Sequence, residues 1–279
     1  HIIKRGLILL AFEALFVSPV FELPSLYFGV IAAIGVSLII MSVGRRLSPT
    51  AIFGYSLLII LNQQWVDLSF IPDDPAWGHY LRRIIAEPGF TRPPYFALYP
   101  VIPWIGVLGL GWVFGTFLNN YDKGKLSGLK LPLAGIGLVS IGMSIVVRFM
   151  NGYGNLVARW SENILDWLYI SKYPPSIVFL LWGLGGMCLF FVAGILFQER
   201  NLTDKNIIGA VHTFGRVPLF FYITHLWLYR LRLPGAPLPF HLSMTQSLAV
   251  WAMGLGVLWI VCSRYEKLKK NNPRFLQYI

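Results

Sequence analysis

The chain has 279 residues, of which 56% are hydrophobic and only 13% charged, whereas about a quarter of the residues in a soluble domain are charged. Its formal net charge is +11, but the Lys and Arg residues form short clusters between long apolar runs, which is typical of membrane topology rather than nucleic-acid binding. This composition excludes a soluble domain and predicts an all-α membrane helical bundle, with one transmembrane domain over residues 1–279.

A membrane-spanning helix needs about 20 apolar residues, and eight stretches approach that length. In chain order they are 6–23, 25–43, 49–66, 99–118, 129–150, 174–197, 207–231 and 242–263. With the first residues in the cytoplasm, Lys and Arg are about twice as frequent in the inner connecting segments as in the outer ones. The positive-inside rule therefore predicts a multi-pass protein with both ends cytoplasmic and segments 67–98 and 151–173 outside.

The glycine-rich run GVLGLGWVFG lies inside the fourth predicted span. No Lys-Ser or Lys-Thr follows it, so it does not resemble a phosphate-binding loop. Two of its glycines, Gly111 and Gly115, have the spacing that allows close helix packing in membranes. The two cysteines, Cys188 and Cys262, lie inside apolar runs and are interpreted as packing residues.

Four ionisable side chains fall within or beside the predicted spans, where an unpaired charge costs several kcal/mol. They are Glu13, Arg148, Arg216 and His225. Each is a candidate for a functional role, and each has a structural alternative. Glu13 is expected either to belong to the site or to pair with a buried arginine. Arg216 is expected either to bind an anionic ligand or to lie at the membrane interface. His225 is expected either to have a functional role or to be a packing histidine.

The seventh predicted span carries a polar stripe and a predicted helix start. On a helix, Tyr222, His225 and Tyr229 share one face. Pro218 suits the first turn of a helix, and Gly215 frees the backbone just before it. We expect the helix to begin near Arg216, so that its free N–H groups and the guanidinium form an anion site.

Three short motifs lie at the predicted outer ends of helices. They are YPVIPW from Tyr99 to Trp104, NGYG from Asn151, and SKYPPS ending at Ser176. Together they are expected to form a lid or vestibule, and ordinary helix-end turns are the alternative. The sequence contains no H-x-x-x-x-D, G-x-S-x-G, H-E-x-x-H or Walker motif, so these residues predict a polar site for an anionic ligand without naming a reaction.

Four strings in order carry a resemblance to a known family: YPVIPWIGVLGLGWVFG, NGYG, SKYPPSIVFLL and GRVPLFFYITHLWL. With this spacing the chain resembles the bacterial branch of the heparan-alpha-glucosaminide N-acetyltransferase-like membrane family, and KRGLILLAFE resembles the third transmembrane segment of that family. The resemblance implies a transmembrane acyltransferase of the bacterial plasma (inner) membrane. Its donor would be cytosolic acetyl-CoA, and its acceptor an extracytoplasmic sugar or glycan of the cell envelope.

The family's usual first two helices, with an Asp-His pair assigned to catalysis, have no counterpart in this sequence, so we expect an N-terminally incomplete chain, with a naturally short and inactive version as the alternative. Supporting catalytic roles are then expected for His225, Lys172 and Tyr173. Cofactor contacts are expected from Arg216, Gly215 and Tyr222. Acceptor contacts are expected from Tyr99, Trp104, Asn151 and Ser176, while Glu13 and Arg148 supply structural or site charge.

The expected partners are membrane lipids, acyl-CoA and the sugar acceptor, with no metal and no nucleic acid; a homodimer is left open. Direct transfer and an acyl-enzyme intermediate both remain open. Two other functions are carried as alternatives. One is a transporter or a lipid or glycan permease using the same polar cavity, and the other is a non-catalytic membrane scaffold.

Overall fold

The computed structural model describes residues 1–21, 26–72, 74, 76–87, 95–202, 206–231 and 242–272. Apart from two three-residue strands, its regular structure is helical, which confirms the all-α prediction. The helices are α1 (Ile2–Phe12), α2 (Val30–Gly44), α3 (Pro49–Asn62), α4 (Ala76–Ile85), α5 (Val101–Asn120), α6 (Lys130–Met150), α7 (Ile164–Leu168), α8 (Ile177–Glu199), α9 (Asn206–Arg216), α10 (Pro218–Arg230) and α11 (Met244–Asn271). Shorter helical turns occupy Glu13–Val17, Ser18–Phe21, Gln63–Trp65 and Lys123–Leu129.

The chain divides into two compact units. The first contains residues 1–18 and 23–196, and the second contains residues 19–22 and 197–279. The aromatic motifs of the predicted acceptor region belong to the first unit, and the predicted cofactor residues belong to the second. Each unit is described separately below.

Four helices in the described part of the chain are long and apolar enough to cross a membrane. They are Val101–Asn120, Lys125–Met150, Ile177–Glu199 and Met244–Asn271. The helix Val30–Gly44 is apolar but shorter. After α1 the chain continues through a wide π-helical turn and a tight 3-10 turn to Phe21. The first predicted span is therefore not one regular α-helix. Four of the eight predicted spans therefore correspond to helices of sufficient length. The other four stay predictions.

The seventh predicted span is two helices rather than one. Helix α9 ends at Arg216 and α10 begins at Pro218, in its first turn as the sequence predicts. Val217 between them has φ −131° and ψ 51°, outside the helical region. Arg216 therefore ends α9, and α10 begins two residues later, which agrees with a helix start near Arg216; the prediction of one continuous span over 207–231 is corrected. The break arises because proline cannot donate the backbone hydrogen bond that would continue α9.

Two short strands, missed by the sequence analysis, bring two helix starts together in the first unit. Strands β1 (Leu26–Phe28) and β2 (Tyr95–Ala97) pair in parallel, with Tyr27 opposite Phe96. Helices α2 and α5 follow these strands within a few residues. A buried cluster that includes Phe28, Ala33 and Tyr99 fills the space behind the pair. The amino-terminal ends of α2 and α5 therefore lie side by side.

The glycines of α5 that contact another helix are not those predicted. A Cβ added at Gly109 would lie 2.1 Å from the Ser56 Oγ of α3, and one at Gly106 would lie 2.9 Å from Ile60. A Cβ at Gly111 or Gly115 would have no neighbour within 4 Å among the described residues. The prediction that glycines of α5 pack closely against another helix is right, but the choice of Gly111 and Gly115 is wrong. Spacing alone does not show which face of a helix meets a neighbour.

Two other helix pairs approach through facing glycines. In α1 and α2, a Cβ at Gly6 would lie 2.6 Å from the Gly35 carbonyl oxygen. In α6 and α8, a Cβ at Gly185 would lie 2.9 Å from the Gly137 carbonyl oxygen. Small residues let backbones approach this closely, which is a common way to join helices in membranes. The first unit is therefore held by backbone-to-backbone contact at two crossings.

Candidate functional site

Four of the predicted site residues meet near the amino-terminal ends of α5 and α8 in the first unit. Tyr99 is 6% exposed, and its ring lies edge-on to Tyr173 with centroids 4.9 Å apart. The ring of Trp104 lies 5.9 Å from that of Tyr99. The Lys172 ammonium is 5.2 Å from the centre of the Tyr173 ring. We call these four residues the aromatic cluster.

The aromatic cluster has hydrogen-bond donors available for a ligand. The Trp104 indole nitrogen is buried and has no hydrogen-bond partner among the described residues. Lys172 is exposed, and Tyr173 is 45% exposed. Aromatic faces combined with a cation and an indole N–H can hold a polar ligand with an apolar face. The predicted catalytic pair Lys172–Tyr173 and the predicted acceptor residues Tyr99 and Trp104 thus lie together.

The other two predicted acceptor residues are engaged by the backbone. Ser176 is fully buried, and its Oγ accepts a hydrogen bond from the Phe179 N–H at 3.1 Å, as a helix cap does. The Asn151 side chain accepts from the Arg159 N–H at 2.6 Å and donates to the Arg159 carbonyl at 2.9 Å. Both side chains position loops beside the cluster. A direct role in acceptor binding stays a prediction for each.

Arg148 is the most completely bonded charged side chain described in the first unit, and it is only 3% exposed. Its three nitrogens donate five hydrogen bonds, which is the full number that a guanidinium offers. The acceptors are the amide oxygen of Asn155 and the backbone carbonyls of Val157, Asp166, Trp167 and Tyr169. Arg148 therefore organises the loop between α6 and α8, and a further role for its charge at the site stays a prediction.

The loop held by Arg148 has a second layer of polar contacts. Asn155, 2% exposed, also donates to the Val147 carbonyl at 2.8 Å. Hydrogen bonds from the Ser161 hydroxyl and from backbone N–H groups hold the pKa of Asp166 below its ordinary value. Asn155 was not predicted from the sequence as a functional residue. The available signal was an asparagine just after a double-glycine turn and seven residues beyond a buried arginine.

Glu13 is 2% exposed and opens the wide helical turn that follows α1. Its Oε2 accepts a hydrogen bond from the Ala32 N–H at 2.9 Å. Ala32 lies in the first turn of α2, where N–H groups have no partner inside the helix and the helix dipole favours a negative charge. The structure thus joins Glu13 to a helix start. Among the described residues no arginine pairs with Glu13, and the alternative of a buried arginine partner stays a prediction.

Replacing Glu13 with leucine is expected to destabilise the protein by about 1–3 kcal/mol, because a buried N–H of α2 loses its acceptor. Glu13→Gln keeps an acceptor oxygen and is expected to cost much less. Thermal unfolding of both variants in one detergent measures the difference, with the exposed Glu162→Leu as control. Equal losses for leucine and glutamine would show that the acceptor oxygen is not what matters.

In the second unit, Arg216 pairs with the carboxylate of Glu266 on α11. The distance from its guanidinium nitrogen to Oε1 is 2.9 Å, and Lys270 lies 3.0 Å from the same oxygen. The Arg216 side chain is 46% exposed. Two cations share one carboxylate, so a net positive charge remains at this end of α9. A ring stack of Phe220 on Tyr265, with centroids 3.8 Å apart, joins α10 to α11 beside it.

The predicted polar stripe of α10 is present, with different roles along it. The His225 Nδ1 lies 3.2 Å from the Phe221 carbonyl oxygen, and its ring is 5.4 Å from that of Tyr222. Tyr229 donates to the Trp251 carbonyl on α11 at 2.9 Å, so its hydroxyl serves packing. Gly215 has open space around its Cα. The catalytic role of His225 and the cofactor roles of Gly215 and Tyr222 stay predictions.

Two adjacent glutamines at the end of α3, Gln63 and Gln64, were also missed by the sequence analysis. The side-chain nitrogens of both are buried and have no hydrogen-bond partner among the described residues. The available signal was a pair of amides closing an otherwise apolar segment.

No group of three His, Cys, Asp or Glu side chains suited to a metal occurs in the described ranges, and the absence of a metal stays a prediction.

Comparison with known proteins gives one match. Residues 1–154 match the family model described as heparan-alpha-glucosaminide N-acetyltransferase, catalytic, which is more than half of the 279 residues. No curated protein and no solved structure matches the chain. The matched range includes Glu13, Tyr99, Trp104 and Arg148. The strings SKYPPSIVFLL and GRVPLFFYITHLWL lie beyond it, so their part in the resemblance stays a prediction.

Proposed function

The chain belongs to the heparan-alpha-glucosaminide N-acetyltransferase family, and from this premise we propose that it moves an acetyl group from cytosolic acetyl-CoA to an extracytoplasmic sugar or glycan. The observation that carries the proposal is the match of a catalytic family model to more than half of the chain. Four long apolar helices support an enzyme embedded in a membrane. We place it in the bacterial inner membrane, with both ends in the cytoplasm, on the charge distribution of the sequence.

The donor side of the proposal rests on the second unit. Coenzyme A carries phosphate groups, and Arg216 with Lys270 supplies more positive charge than Glu266 neutralises. A half-exposed guanidinium binds phosphate oxygens through charge-assisted hydrogen bonds. Gly215 leaves room beside Arg216, and Tyr222 lies on the next helix. We assign these residues to the coenzyme on that basis.

The acceptor side rests on the aromatic cluster. In the proposed reaction, a hydroxyl or amine of the acceptor attacks the thioester carbon. The new C–O or C–N bond forms, the C–S bond breaks, and coenzyme A leaves as the thiol with the proton of the acceptor. The carbonyl oxygen gains negative charge and needs donors nearby. Lys172 and Tyr173 are assigned supporting roles as such donors, and the rings of Tyr99 and Trp104 are assigned to the sugar; a supporting catalytic role for His225 stays a prediction from the sequence.

Titration of the purified protein with acetyl-CoA tests the donor assignment. We expect Arg216→Ala to weaken binding by about 10–100-fold, since a hydrogen bond to a charged group contributes about 1.5–3 kcal/mol. Glu266→Gln is expected to retain or tighten binding because it releases Arg216 from its carboxylate. Arg264→Ala, which removes an exposed arginine from the same unit, is the matched control.

Two results would defeat the proposal. One is the absence of acetyl-CoA binding by a protein whose thermal unfolding is cooperative. The other is binding without transfer of labelled acetyl groups to any amino sugar or glycan on the far side of a sealed vesicle. Unchanged affinity in Arg216→Ala would remove that residue from the donor site while leaving the family function to the transfer assay.

A further inference from the structure

A small polar cavity lies in the first unit beside the end of α3. Its volume is about 90 Å³. The residues that line it are Gln63, Gln64, Val66, Ala86, Glu87, Leu156 and Pro174. Three segments contribute to this wall: the end of α3, the end of α4, and the loop that Arg148 organises. Since that loop is anchored by five hydrogen bonds, one wall of the cavity is rigidly placed.

Two amide groups line the cavity with unused donors. Gln63 is 8% exposed, and its side-chain nitrogen finds no acceptor among the described residues. The orientation of Gln64 is fixed, because its Oε1 accepts a hydrogen bond from the Gly154 N–H at 3.0 Å and only the oxygen can accept. Its nitrogen is therefore the buried free end. A buried donor without an acceptor is costly, so an acceptor from a ligand would be favoured there.

The cavity also contains an acceptor whose charge is already balanced. The carboxylate of Glu87 pairs with Arg82, and its second oxygen lies 3.9 Å from a guanidinium nitrogen of Arg83. The side chain of Glu87 is 18% exposed. A carboxylate held by two arginines still has free lone pairs, and because its charge is already balanced it gains little from binding a cation. It therefore suits a neutral O–H or N–H donor.

The chemistry of the wall fits hydroxyl groups. Each hydroxyl both donates and accepts, so two neighbouring hydroxyls can accept from the glutamine amides and donate to Glu87. The volume corresponds to about three water molecules, at roughly 30 Å³ each, which admits the edge of a sugar ring rather than a whole ring. Trp65, next in the chain to Gln64, is 69% exposed and lies 4.7 Å from the Tyr153 ring.

We propose that Gln63, Gln64 and Glu87 form a subsite that binds neighbouring hydroxyl groups of a neutral sugar. As a binding site it stands on the cavity and its donors alone. Its use as part of the acceptor site rests on the function proposed above, since segments 67–98 and 151–173 are both predicted on the acceptor side. The subsite differs from the aromatic cluster in chemistry, because it would bind hydroxyl groups through hydrogen bonds to amides and a carboxylate.

Saturation-transfer NMR on the full chain in detergent, with methyl β-glucoside as probe and without acetyl-CoA, tests the subsite. Gln64→Glu keeps the oxygen that accepts from Gly154 and removes the donor. Gln63→Met removes the other donor at similar volume. Each is expected to raise the dissociation constant of the sugar at least about tenfold. The exposed Gln198→Met is the matched control and is expected to bind as the unaltered chain does.

The melting midpoint of each variant separates binding from folding. If Gln64→Glu unfolds, Gln63→Met carries the test, since its carboxamide nitrogen has no described partner to lose. Equal affinity in all variants, or no sugar signal with the unaltered chain, would overturn the subsite and leave a water-filled cavity. Because no acetyl-CoA is present, these outcomes are independent of the transferase proposal, which stands or falls on acetyl transfer.

Discussion

Arg148→Met is expected to lower the stability of the protein more than any other single change considered, by more than about 3 kcal/mol. The guanidinium serves five oxygens, and each buried acceptor left without a donor costs about 1–3 kcal/mol. Methionine has a similar length but no donor. Thermal unfolding in detergent is expected to shift down by several degrees, and the segment 155–169 is expected to become sensitive to protease.

Arg148→Lys separates charge from geometry at the same position. An ammonium keeps the positive charge but has three donors on one atom, so it cannot reach acceptors spread along two sides of a planar fork. We expect the stability of Arg148→Lys to lie between that of the unaltered chain and that of Arg148→Met. The exposed Arg46→Met is the control. A lysine variant as stable as the original would show that charge, rather than the five-bond geometry, holds the loop.

Gly185→Val is expected to have the second largest effect, because it drives α6 and α8 apart. A Cβ at this position would lie 2.9 Å from both the Gly137 carbonyl oxygen and a side-chain carbon of Ile141. Overpacking of this kind costs about 1–3 kcal/mol. Separation would also weaken the hydrogen bond from Ser140 to the Leu181 carbonyl, now 2.8 Å, and the one from Ser144 to Val178, now 3.1 Å.

The neighbouring residue supplies a matched control for this experiment. A Cβ at Gly186 meets no described atom within 4 Å, so Gly186→Val adds the same side chain to open space on the same helix. We expect its unfolding temperature to stay close to that of the unaltered chain. If the two valine variants were equally destabilised, loss of glycine flexibility in α8 would explain the effect, and the facing-glycine contact would not.

The positions of most helices follow from the sequence because apolarity is a local property of a segment. Pro218 also marked the start of α10 correctly. The strands β1 and β2 were missed, since three residues carry no recognisable alternation and their pairing depends on the contact of distant segments. The choice of Gly109 over Gly111 as a contact residue has the same cause. Gly111 and Gly115 have the motif spacing and Gly109 does not, so only the neighbouring helix shows which glycine is in contact.

The candidate site was predictable in its ionisable residues and less so in their partners. Arg148 and Glu13 stood out because charges in apolar segments are rare. Their acceptors and donors are mainly backbone groups, which every residue possesses and which therefore leave no trace in the sequence. Arg216 was expected to face a ligand, and its ion pair with Glu266, fifty positions later in the chain, depends on tertiary folding.

The bonding of Arg148 also has a consequence for biosynthesis. All five of its acceptors belong to residues 155–169, which are synthesised after α6. A nascent α6 therefore reaches the bilayer with a guanidinium that only water or lipid phosphate can solvate. We therefore expect the carboxyl-terminal end of α6 to stay at the membrane surface until residues 155–169 have been synthesised and can supply these acceptors.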